Sequence, residues 1–553
     1  MSHDLARALS YASGPSTVPL LGETIGANLE RTVALHRDRE ALVECATGRR
    51  WTYGELDAAV DHLALALIEH GIALGDRVGI WSPNCAEWVI VQYATAKIGA
   101  ILVNVNPAYR AHELRYALQQ SGVRLLFSAV AHRGSDYRAL LDAVRADCPQ
   151  LTECVFLGES TWQAIVDRGR HLPRHHLYER MALLSFDDLI NIQYTSGTTG
   201  FPKGATLTHH NILNNGYFVT EVLGFTEADR VCLPVPFYHC FGMVMGNLGA
   251  TSHGACIVIP APSFDPLATL RAVEAERCTA LYGVPTMFIA QLDHPEFARF
   301  ELTSLRTGIM AGSPCPVQVM KRVVAEMHCP EVTIAYGMTE TSPVSTMTRR
   351  SDPLERRTST VGTVMPHVEV CVVDPATGRP VRRGTPGELC TRGYSVMFGY
   401  WDEPKKTLEA VDLAGWMHTG DLAVMDDAGY VNIAGRIKDM VIRGGENIYP
   451  REIEEFLHTH PDVADVQVIG VPDPRYGEEL MAWLVMKPGR APLTVEAVRA
   501  FCTDQLAHYK LPRYVHIVDG FPMTVTGKVR KVEMRAQAIE LLGLQAAAAI
   551  ETA

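Results

Sequence analysis

The chain has 553 residues and a formal net charge of −12 at pH 7, and 47% of its residues are hydrophobic. This length exceeds one compact core, so several folding units are expected. The acidic balance argues against a broad nucleic-acid surface, and no apolar run reaches the roughly 18 residues of a membrane helix. The thirteen cysteines include no CxxC pair, which predicts free thiols rather than disulfides or a zinc site. Without a secretory signal, a cytoplasmic protein is expected.

The first four fifths of the chain alternate strand-like and helix-like segments. The strand-like RVGIW after Gly75 precedes AEWVIVQYATAKIG, which we predict as an amphipathic helix, and AILVNV follows as the next strand. This alternation predicts parallel sheets covered by helices on both faces. From about Gly362 to Ile433 the helices become sparse, and runs such as VEVCVVD and GELCTRG predict a small β-rich unit.

The last hundred residues have a different pattern. EIEEFLHTHP and LTVEAVRAFCTDQL predict helices, whereas DVQVIGVPD and MAWLVMKPG predict strands. We therefore predict an α/β fold with a large N-terminal domain at 1–435, whose β-rich subdomain covers about 362–435. A hinge at 436–439 and a small mobile α+β domain at 440–553 complete the prediction.

The densest group of phosphate-binding residue types is YTSGTTGFPKG, which follows the strand-like LINIQ. Glycines let backbone N–H groups converge, hydroxyls donate hydrogen bonds and Lys203 adds a positive charge, which together suit a polyphosphate. The run is not a P-loop motif because Pro202, rather than glycine, precedes Lys203. A flexible surface loop is the alternative, but the density of donors favours phosphate binding. The candidate ligands are Thr195, Ser196, Gly197, Thr198, Thr199, Gly200 and Lys203.

A second candidate, YGMTET, directly follows the strand-like VTIA. Open α/β sheets bind ligands at the carboxyl ends of their strands. Tyr336 could lie against a purine, Thr339 could donate to a phosphate, and Glu340 could hold Mg²⁺ through a carboxylate oxygen. A plain turn with a solvated glutamate is equally compatible with these residues, so both interpretations stay open at this point.

Two further sets are ambiguous when taken singly. Asp421 in HTGDLA and Arg436 in GRIKD could share the hydroxyls of a ribose, although isolated charges of this kind are normally surface residues. Lys528 in TGKVRK lies in a segment with six basic and two acidic residues, from His508 to Arg535. Most lysines in such basic runs are only solvated.

Together these motifs resemble the adenylate-forming superfamily of acyl-CoA synthetases, firefly-luciferase-like enzymes and peptide-synthetase adenylation domains. YTSGTTGFPKG, YGMTET, the HTGDLA and GRIKD pair, RGGENIYPREIE and TGK occur in the order of that family. The resemblance runs from TYGEL at Thr52 to GKVRK at Lys531. GGENIYPREIE, with PNCAEW and NVNPAYR upstream, most resembles the medium- and long-chain fatty acyl-CoA synthetases.

The resemblance implies a role for each motif. Thr195 to Lys203 would wrap the β- and γ-phosphates of ATP, and Glu340 with Thr339 would hold Mg²⁺ and the α-phosphate. Lys528 would contact the reacting carboxylate and the α-phosphate, which screens like charges during attack. The residues implied to line the adenine and the start of the acyl pocket are Gly312, Ser313, Pro314 and Tyr336. Gly337 and Met338 are implied to bind ATP.

The resemblance also implies a swinging C-terminal domain. Asp421 and Arg436 would bind the ribose, and Lys438 matches the family's hinge residue. The swing would bring Gly444-Gly445 against the pantetheine arm of coenzyme A, since glycine permits a close backbone approach. A tight turn is the alternative for this glycine pair, and both can hold.

His239 in VPFYHCFGM matches the aromatic gate beside the family's acyl tunnel, although a lone histidine in an apolar run is usually packed in a core.

Four functions are compared: a medium- or long-chain fatty acid–CoA ligase, an aryl or short branched acid–CoA ligase, an acyl-AMP ligase loading a carrier protein, and a non-catalytic scaffold. The first is favoured, and the complete motif set ranks the scaffold last. The expected partners are a carboxylic acid, ATP and coenzyme A, with no nucleic acid and no transmembrane segment; a homodimer is left open.

Overall fold

The computed structural model describes residues 8–195, 202–313, 315–443, 446–503, 505–506, 508–524 and 528–548. The chain divides into two compact units. The unit called here the large unit consists of Ala12–Val370 and Cys390–His418. The small unit consists of Met1–Tyr11, Cys371–Leu389 and Thr419–Ala553.

The first sheet of the large unit has seven strands, five of them parallel. Their order across the sheet is Gly399–Tyr400, Lys203–Thr208, Leu189–Thr195, Ile101–Asn104, Arg77–Trp81, Val123–Ser128 and Glu153–Phe156. The two strands at the beginning of this order run antiparallel to their neighbours. A two-stranded ribbon, Ala131–His132 and Ser135–Asp136, lies apart from it.

The second sheet of the large unit has nine strands, and its central six are parallel. Their order is Thr363–Val364, Val344–Met347, Glu331–Gly337, Thr307–Ala311, Ala280–Gly283, Arg230–Cys232, Cys256–Ile259, Glu40–Glu44 and Arg49–Thr52. Central strands such as Cys256–Ile259 are buried throughout, as expected where helices cover both faces. The predicted parallel sheets are confirmed.

Helices of the large unit connect these strands. They are Ile25–His36, Tyr53–Glu69, Ala86–Ile98, Ala111–Ser121, Tyr137–Arg145, Ser160–Arg170, His175–Met181, His209–Val222, Gly249–Ser252, Pro266–Ala275, Pro285–Leu292, Val317–Glu326, Leu354–Ser359 and Pro404–Ala410. A π-helix covers Phe241–Leu248, and short 3-10 helices cover Phe297–Arg299 and Thr339–Thr341. Local sequence fixes their ends: Thr52 and Glu55 form a reciprocal capping box, and Gly99 closes Ala86–Ile98 with a φ of 71°.

The prediction that AEWVIVQYATAKIG is amphipathic was wrong. Every residue of the helix Ala86–Ile98 is buried, because it packs against the helices Ile25–His36 and Tyr53–Glu69 and also against sheet strands. Its only lysine, Lys97, is neutralised by carboxylates of neighbouring helices rather than by water. The helix therefore lacks the polar face that a surface helix presents.

A five-stranded sheet accounts for the predicted β-rich segment. Its order is Tyr11–Ser13, Val368–Val373, Gly387–Gly393, Met417–Met425 and Val431–Arg436. The last two strands form an antiparallel pair joined by a turn at Asp426, whose carboxylate accepts backbone N–H groups of Ala428 and Tyr430. The segment also contains the helix Pro404–Ala410, so it is not purely β.

The C-terminal part of the small unit is an α+β fold, as predicted. Its strands are Val441–Arg443, Glu446–Ile448, Val463–Asp473, Gly477–Met486 and Tyr514–Ile517. Its helices are Pro450–Leu457, Val495–Cys502, Lys531–Leu541 and Gln545–Ala548, with 3-10 turns at Ile437–Asp439 and His508–Lys510. Alternate residues of the long hairpin, such as Val466 and Leu484, are fully buried in its core.

Contacts within the chain group 419–435 with the C-terminal part, whereas the sequence predicts the boundary at 436–439. The predicted hinge range holds the 3-10 turn Ile437–Asp439, and its hinge role remains a prediction. Among the described helices, none combines the length and apolarity that crossing a membrane requires.

Candidate active site

Thr195 and Lys203 are brought together by strand pairing. They end and begin the neighbouring strands Leu189–Thr195 and Lys203–Thr208, and they are direct register partners. The hydroxyl of Thr195 lies 3.4 Å from the carbonyl oxygen of Lys203. The predicted ligands between them, Ser196, Gly197, Thr198, Thr199 and Gly200, lie outside the described residues. The position of the glycine-rich segment at the end of a central strand agrees with a ligand-binding loop.

Glu340 is the buried acid of this region, with only 5% of its surface exposed. Its Oε1 accepts a hydrogen bond of 2.8 Å from the phenol of Tyr400 and lies 3.5 Å from the hydroxyl of Thr195. Across the part of the chain that the structure describes, no lysine or arginine forms an ion pair with this carboxylate. The interpretation of Glu340 as a solvated turn residue is therefore wrong, because the side chain is buried.

Tyr400 also contacts Lys203. The Nζ of Lys203 lies 4.7 Å from the centroid of the Tyr400 ring, within the range of a cation–π interaction. Burial, and then the charge of Glu340, raise the pKa of Tyr400 well above its ordinary value, so the phenol remains protonated as a donor. One aromatic residue thus contacts both the lysine and the acid.

Sequence reasoning missed Tyr400. It occupies a two-residue edge strand, Gly399–Tyr400, that pairs with residues 205–206 nearly two hundred positions earlier. No local periodicity reveals such a pairing. The available sequence signal was the run GYW inside the predicted β-rich segment, where two aromatic residues follow a glycine.

The YGMTET turn forms because the strand Glu331–Gly337 stops at a crowded glycine. A Cβ on Gly337 would lie 1.7 Å from the carbonyl oxygen of Pro343, so no larger residue fits there. Met338 donates its backbone N–H to that same carbonyl, at 2.9 Å. The 3-10 turn Thr339–Thr341 then buries Thr339, whose hydroxyl lies 3.8 Å from the thiol of Cys240. Tyr336 sits at the end of the strand, opposite Thr346.

His239 directly precedes Cys240, whose thiol contacts Thr339 in this turn. Its Nδ1 accepts the backbone N–H of Phe241 at 3.1 Å and lies 3.7 Å from the Cys240 thiol. In a neutral imidazole an accepting Nδ1 places the ring proton on Nε2. The predicted gate residue therefore has a defined donor face, and its gating role remains a prediction.

The predicted adenine-side segment follows the strand Thr307–Ala311. Gly312 has a φ of 90°, and a Cβ there would lie 3.1 Å from a methyl of Val284, so the position favours glycine twice over. Ser313 follows it in a bend, and Pro314 lies outside the described residues. The segment lies at the carboxyl end of a parallel strand, as does the YGMTET turn on the adjacent strand.

In the small unit, the structure brings Asp421 and Arg436 together. They are register partners on the antiparallel strands Met417–Met425 and Val431–Arg436, and Nε of Arg436 lies 3.2 Å from Oδ1 of Asp421. Asp421 is largely buried, whereas the Arg436 side chain is 58% exposed. A carboxylate held at the end of a hairpin beside an exposed guanidinium suits recognition of a polar ligand.

The remaining predicted residues of the small unit are only partly described. The backbone N–H of Lys528 donates to the Thr524 hydroxyl at 2.9 Å. Lys438 lies in the 3-10 turn Ile437–Asp439. Gly444 and Gly445 lie outside the described residues.

The chain belongs to the AMP-binding enzyme family. The family model of the AMP-binding enzyme matches residues 29–401, and that of the AMP-binding enzyme C-terminal domain matches residues 452–528. Together they cover most of both units, as the motif order predicts. The predicted membership of the adenylate-forming superfamily is confirmed, and so is the prediction of an acyl-CoA synthetase.

Individual relatives agree with this assignment along nearly the whole chain. The protein YngI of Bacillus subtilis (strain 168) is 47% identical over 95% of this chain and 99% of its own length. The mitochondrial medium-chain acyl-CoA ligase ACSF2 of Danio rerio is 43% identical over 97% of this chain and 91% of its own. Among solved structures, the anthranilate CoA ligase AuaEII in complex with anthranoyl-AMP superposes with a TM-score of 0.85 at 26% identity, over 96% of this chain and 99% of the other.

Proposed function

We propose that this enzyme activates a medium-chain fatty acid with ATP and transfers the acyl group to coenzyme A. In the first half-reaction a carboxylate oxygen attacks the α-phosphorus of ATP, an oxygen–phosphorus bond forms and pyrophosphate leaves. In the second half-reaction the thiol of coenzyme A displaces AMP from the acyl-adenylate. The medium-chain assignment is supported by the 43% identity to a medium-chain ligase over 97% of the chain.

The observation that carries the proposal is the arrangement of Thr195, Lys203 and Glu340 around Tyr400. Adenylation brings an anionic nucleophile to an anionic phosphorus, so the site has to supply positive charge and fixed donors. Lys203 and the glycine-rich segment at 195–203 provide these for the β- and γ-phosphates. Thr339, in the 3-10 turn Thr339–Thr341, would donate to the α-phosphate.

The residues fit a divalent cation, and Glu340 would hold it. A carboxylate buried to 95% without an ion-pair partner among the described residues is unfavourable unless a positive charge accompanies it. Mg²⁺ prefers such oxygen ligands and keeps phosphate oxygens in its remaining positions. When bound, Mg²⁺ would neutralise charge on the phosphates and strengthen pyrophosphate as a leaving group.

We assign the roles of the small unit from its motifs. Asp421 would accept hydrogen bonds from the ribose hydroxyls, with Arg436 donating to the same oxygens. Lys528 would stabilise charge at the reacting carboxylate and α-phosphate during adenylation. Lys438 would act as the hinge, and Gly444-Gly445 would lie along the pantetheine arm of coenzyme A. On the acyl side, His239 would act as the gate. The adenine and the pocket entrance would be lined by Gly312, Ser313, Pro314 and Tyr336, and Gly337 and Met338 would bind ATP.

Two alternatives follow from specific observations. The likeness to the anthranilate ligase AuaEII, at a TM-score of 0.85, supports an aryl acid as the second candidate substrate class. The acceptor thiol could belong to a carrier protein instead of free coenzyme A, and the RGGENIYP motif is the sequence feature that favours coenzyme A. The cytoplasmic location remains a prediction, and a homodimer remains open.

Product identification tests the proposal. The purified enzyme is incubated with ATP, Mg²⁺, coenzyme A and an equimolar mixture of short, medium, long and aryl carboxylic acids, and the thioesters are identified by mass. Medium-chain acyl-CoA should dominate and form in step with AMP. Dominant aryl-CoA would replace the acyl assignment, whereas transfer only to a carrier protein would replace coenzyme A as acceptor.

A further inference from the structure

Tyr400 is fixed between the lysine strand and the acidic turn. Its strand, Gly399–Tyr400, pairs with Lys203–Thr208, with Tyr400 opposite Ala205. The backbone N–H of Trp401 donates to the carbonyl of Gly204 at 2.7 Å, so the pairing continues past the strand. On the other side, the backbone N–H of Met397 donates to the carbonyl of Glu340 at 2.9 Å. The segment 397–401 therefore joins two motifs that lie far apart in sequence.

The Tyr400 side chain also contacts both motifs, Glu340 with its hydroxyl and Lys203 with its ring. The hydroxyl donates to Oε1 of Glu340 at 2.8 Å, and the ring face lies 4.7 Å from Nζ of Lys203. A hydrogen bond on one carboxylate oxygen fixes the side-chain rotamer and leaves Oε2 to other ligands. The ring in turn limits the positions open to the long, flexible lysine side chain.

We infer that Tyr400 is a positioning residue of the adenylation half-reaction, which sets Glu340 for the divalent cation through its hydroxyl and Lys203 for the phosphates through its ring. The inference rests on the proposed function. The hydroxyl and the ring of Tyr400 make separate contributions. The hydroxyl acts on cation affinity, and the ring acts on ATP affinity.

Two substitutions separate these contributions. Tyr400→Phe retains the ring beside Lys203 and removes only the hydroxyl. Tyr400→Leu removes both. Tyr53→Phe is the matched control, because its buried phenol donates to the carbonyl of Ala255 at 2.6 Å and contacts none of the site residues named here. Both phenylalanine variants lose one buried phenol hydrogen bond, so a general effect on stability would appear in both.

The experiment measures cation binding directly as well as activity. Mn²⁺ binding to the full-length enzyme in the presence of the non-reactive analogue AMPCPP is followed by electron paramagnetic resonance. Steady-state adenylation gives the KM for ATP, and thermal melting checks the fold.

Tyr400→Phe should raise the dissociation constant of Mn²⁺ about tenfold, the usual size for a lost hydrogen bond to a charged group, with the KM for ATP little changed. Tyr400→Leu should further raise that KM about threefold, as for a lost cation–π contact. Tyr53→Phe should do neither.

Glu340→Gln distinguishes failure of this inference from failure of the proposed function. If Glu340→Gln weakens Mn²⁺ binding while Tyr400→Phe binds it like the wild type, the role of Tyr400 is overturned and the function stands. If Glu340→Gln leaves Mn²⁺ binding unchanged, both the cation assignment and the inference fail. An equal rise in the KM for ATP in Tyr400→Phe and Tyr400→Leu would overturn the division between hydroxyl and ring.

Discussion

Asp421 and Arg436 face each other as register partners on two antiparallel strands, with 3.2 Å between Oδ1 and Nε. Hydrogen bonding of the hairpin fixes their backbones, while the exposed arginine keeps side-chain freedom. The hairpin therefore fixes the position of the carboxylate and places the guanidinium beside it. This is the arrangement expected of a ribose site, in which an acid accepts from two vicinal hydroxyls.

Replacing Asp421 tests the ribose assignment. Asp421→Asn should raise the KM for ATP about tenfold, because a charge-assisted hydrogen bond becomes a neutral one. The wild type should discriminate against 3′-deoxy-ATP, and the variant should discriminate much less. Steady-state adenylation with both nucleotides measures this. Asp426→Asn, in the turn of the same hairpin, is the control and should retain the discrimination. Unchanged discrimination in Asp421→Asn would remove the residue from the ribose site.

Lys528 should matter in only one half-reaction. Lys528→Ala should lower the rate of adenylate formation at least a hundredfold, since a positive charge near the reacting oxygens is lost. Thioester formation from supplied acyl-AMP should largely survive. Lys510→Ala serves as control, because Lys510 lies in the same basic segment but pairs with Glu452 at 2.7 Å. Equal loss of both half-reactions would contradict the assignment.

Arg443 directly precedes the glycine pair Gly444-Gly445, which is predicted to contact coenzyme A, and it forms a structural ion pair with Glu479. Arg443 donates two hydrogen bonds, of 2.8 and 2.9 Å, to the carboxylate of Glu479, which is 1% exposed. Arg443→Met should destabilise this fold by about 2–3 kcal/mol, less than for an isolated pair because Arg513 also lies 3.6 Å from Glu479. Hydrogen exchange in the strands Val463–Asp473 and Gly477–Met486 measures the change. Adding Glu479→Gln should restore part of the stability, and a further loss would refute the explanation.

His209 should make the stability of the large unit depend on pH. Burial lowers the pKa of His209 to about 3, and its Nδ1 accepts the backbone N–H of Ile25 at 3.1 Å. Between pH 6.5 and 3 the unfolded chain binds a proton that the folded chain does not, so this contribution is present above pH 6.5 and is lost as the pH falls. From pH 7 to 5.5 the wild type should lose about 1.2 kcal/mol more than His209→Gln. Urea unfolding at both values measures this, and identical pH dependences would contradict it.

Sequence reasoning succeeded where a local pattern determines the structure. LINIQ predicted the strand before the glycine-rich segment. Asp421 and Arg436, which the HTGDLA and GRIKD motifs predicted to share one ligand, lie 3.2 Å apart. Sequence reasoning failed where distant packing decides. The helix Ala86–Ile98 is surrounded on all sides, so its polar residues are buried and did not mark a surface. Tyr400 gains its role only through pairing with a strand from another part of the chain. Its neighbours there, Lys203 and Glu340, were both predicted as ligands of one ATP site, but no local pattern linked either of them to Tyr400.

Oxygen transfer tests the central claim most directly. The acid substrate is labelled with ¹⁸O in both carboxylate oxygens and incubated with ATP, Mg²⁺, coenzyme A and the full-length enzyme. The masses of the products are then measured by mass spectrometry. Direct attack of the carboxylate on the α-phosphorus predicts AMP that carries a single labelled oxygen, beside unlabelled pyrophosphate. Label in inorganic phosphate together with ADP, or unlabelled AMP, would contradict an acyl-adenylate.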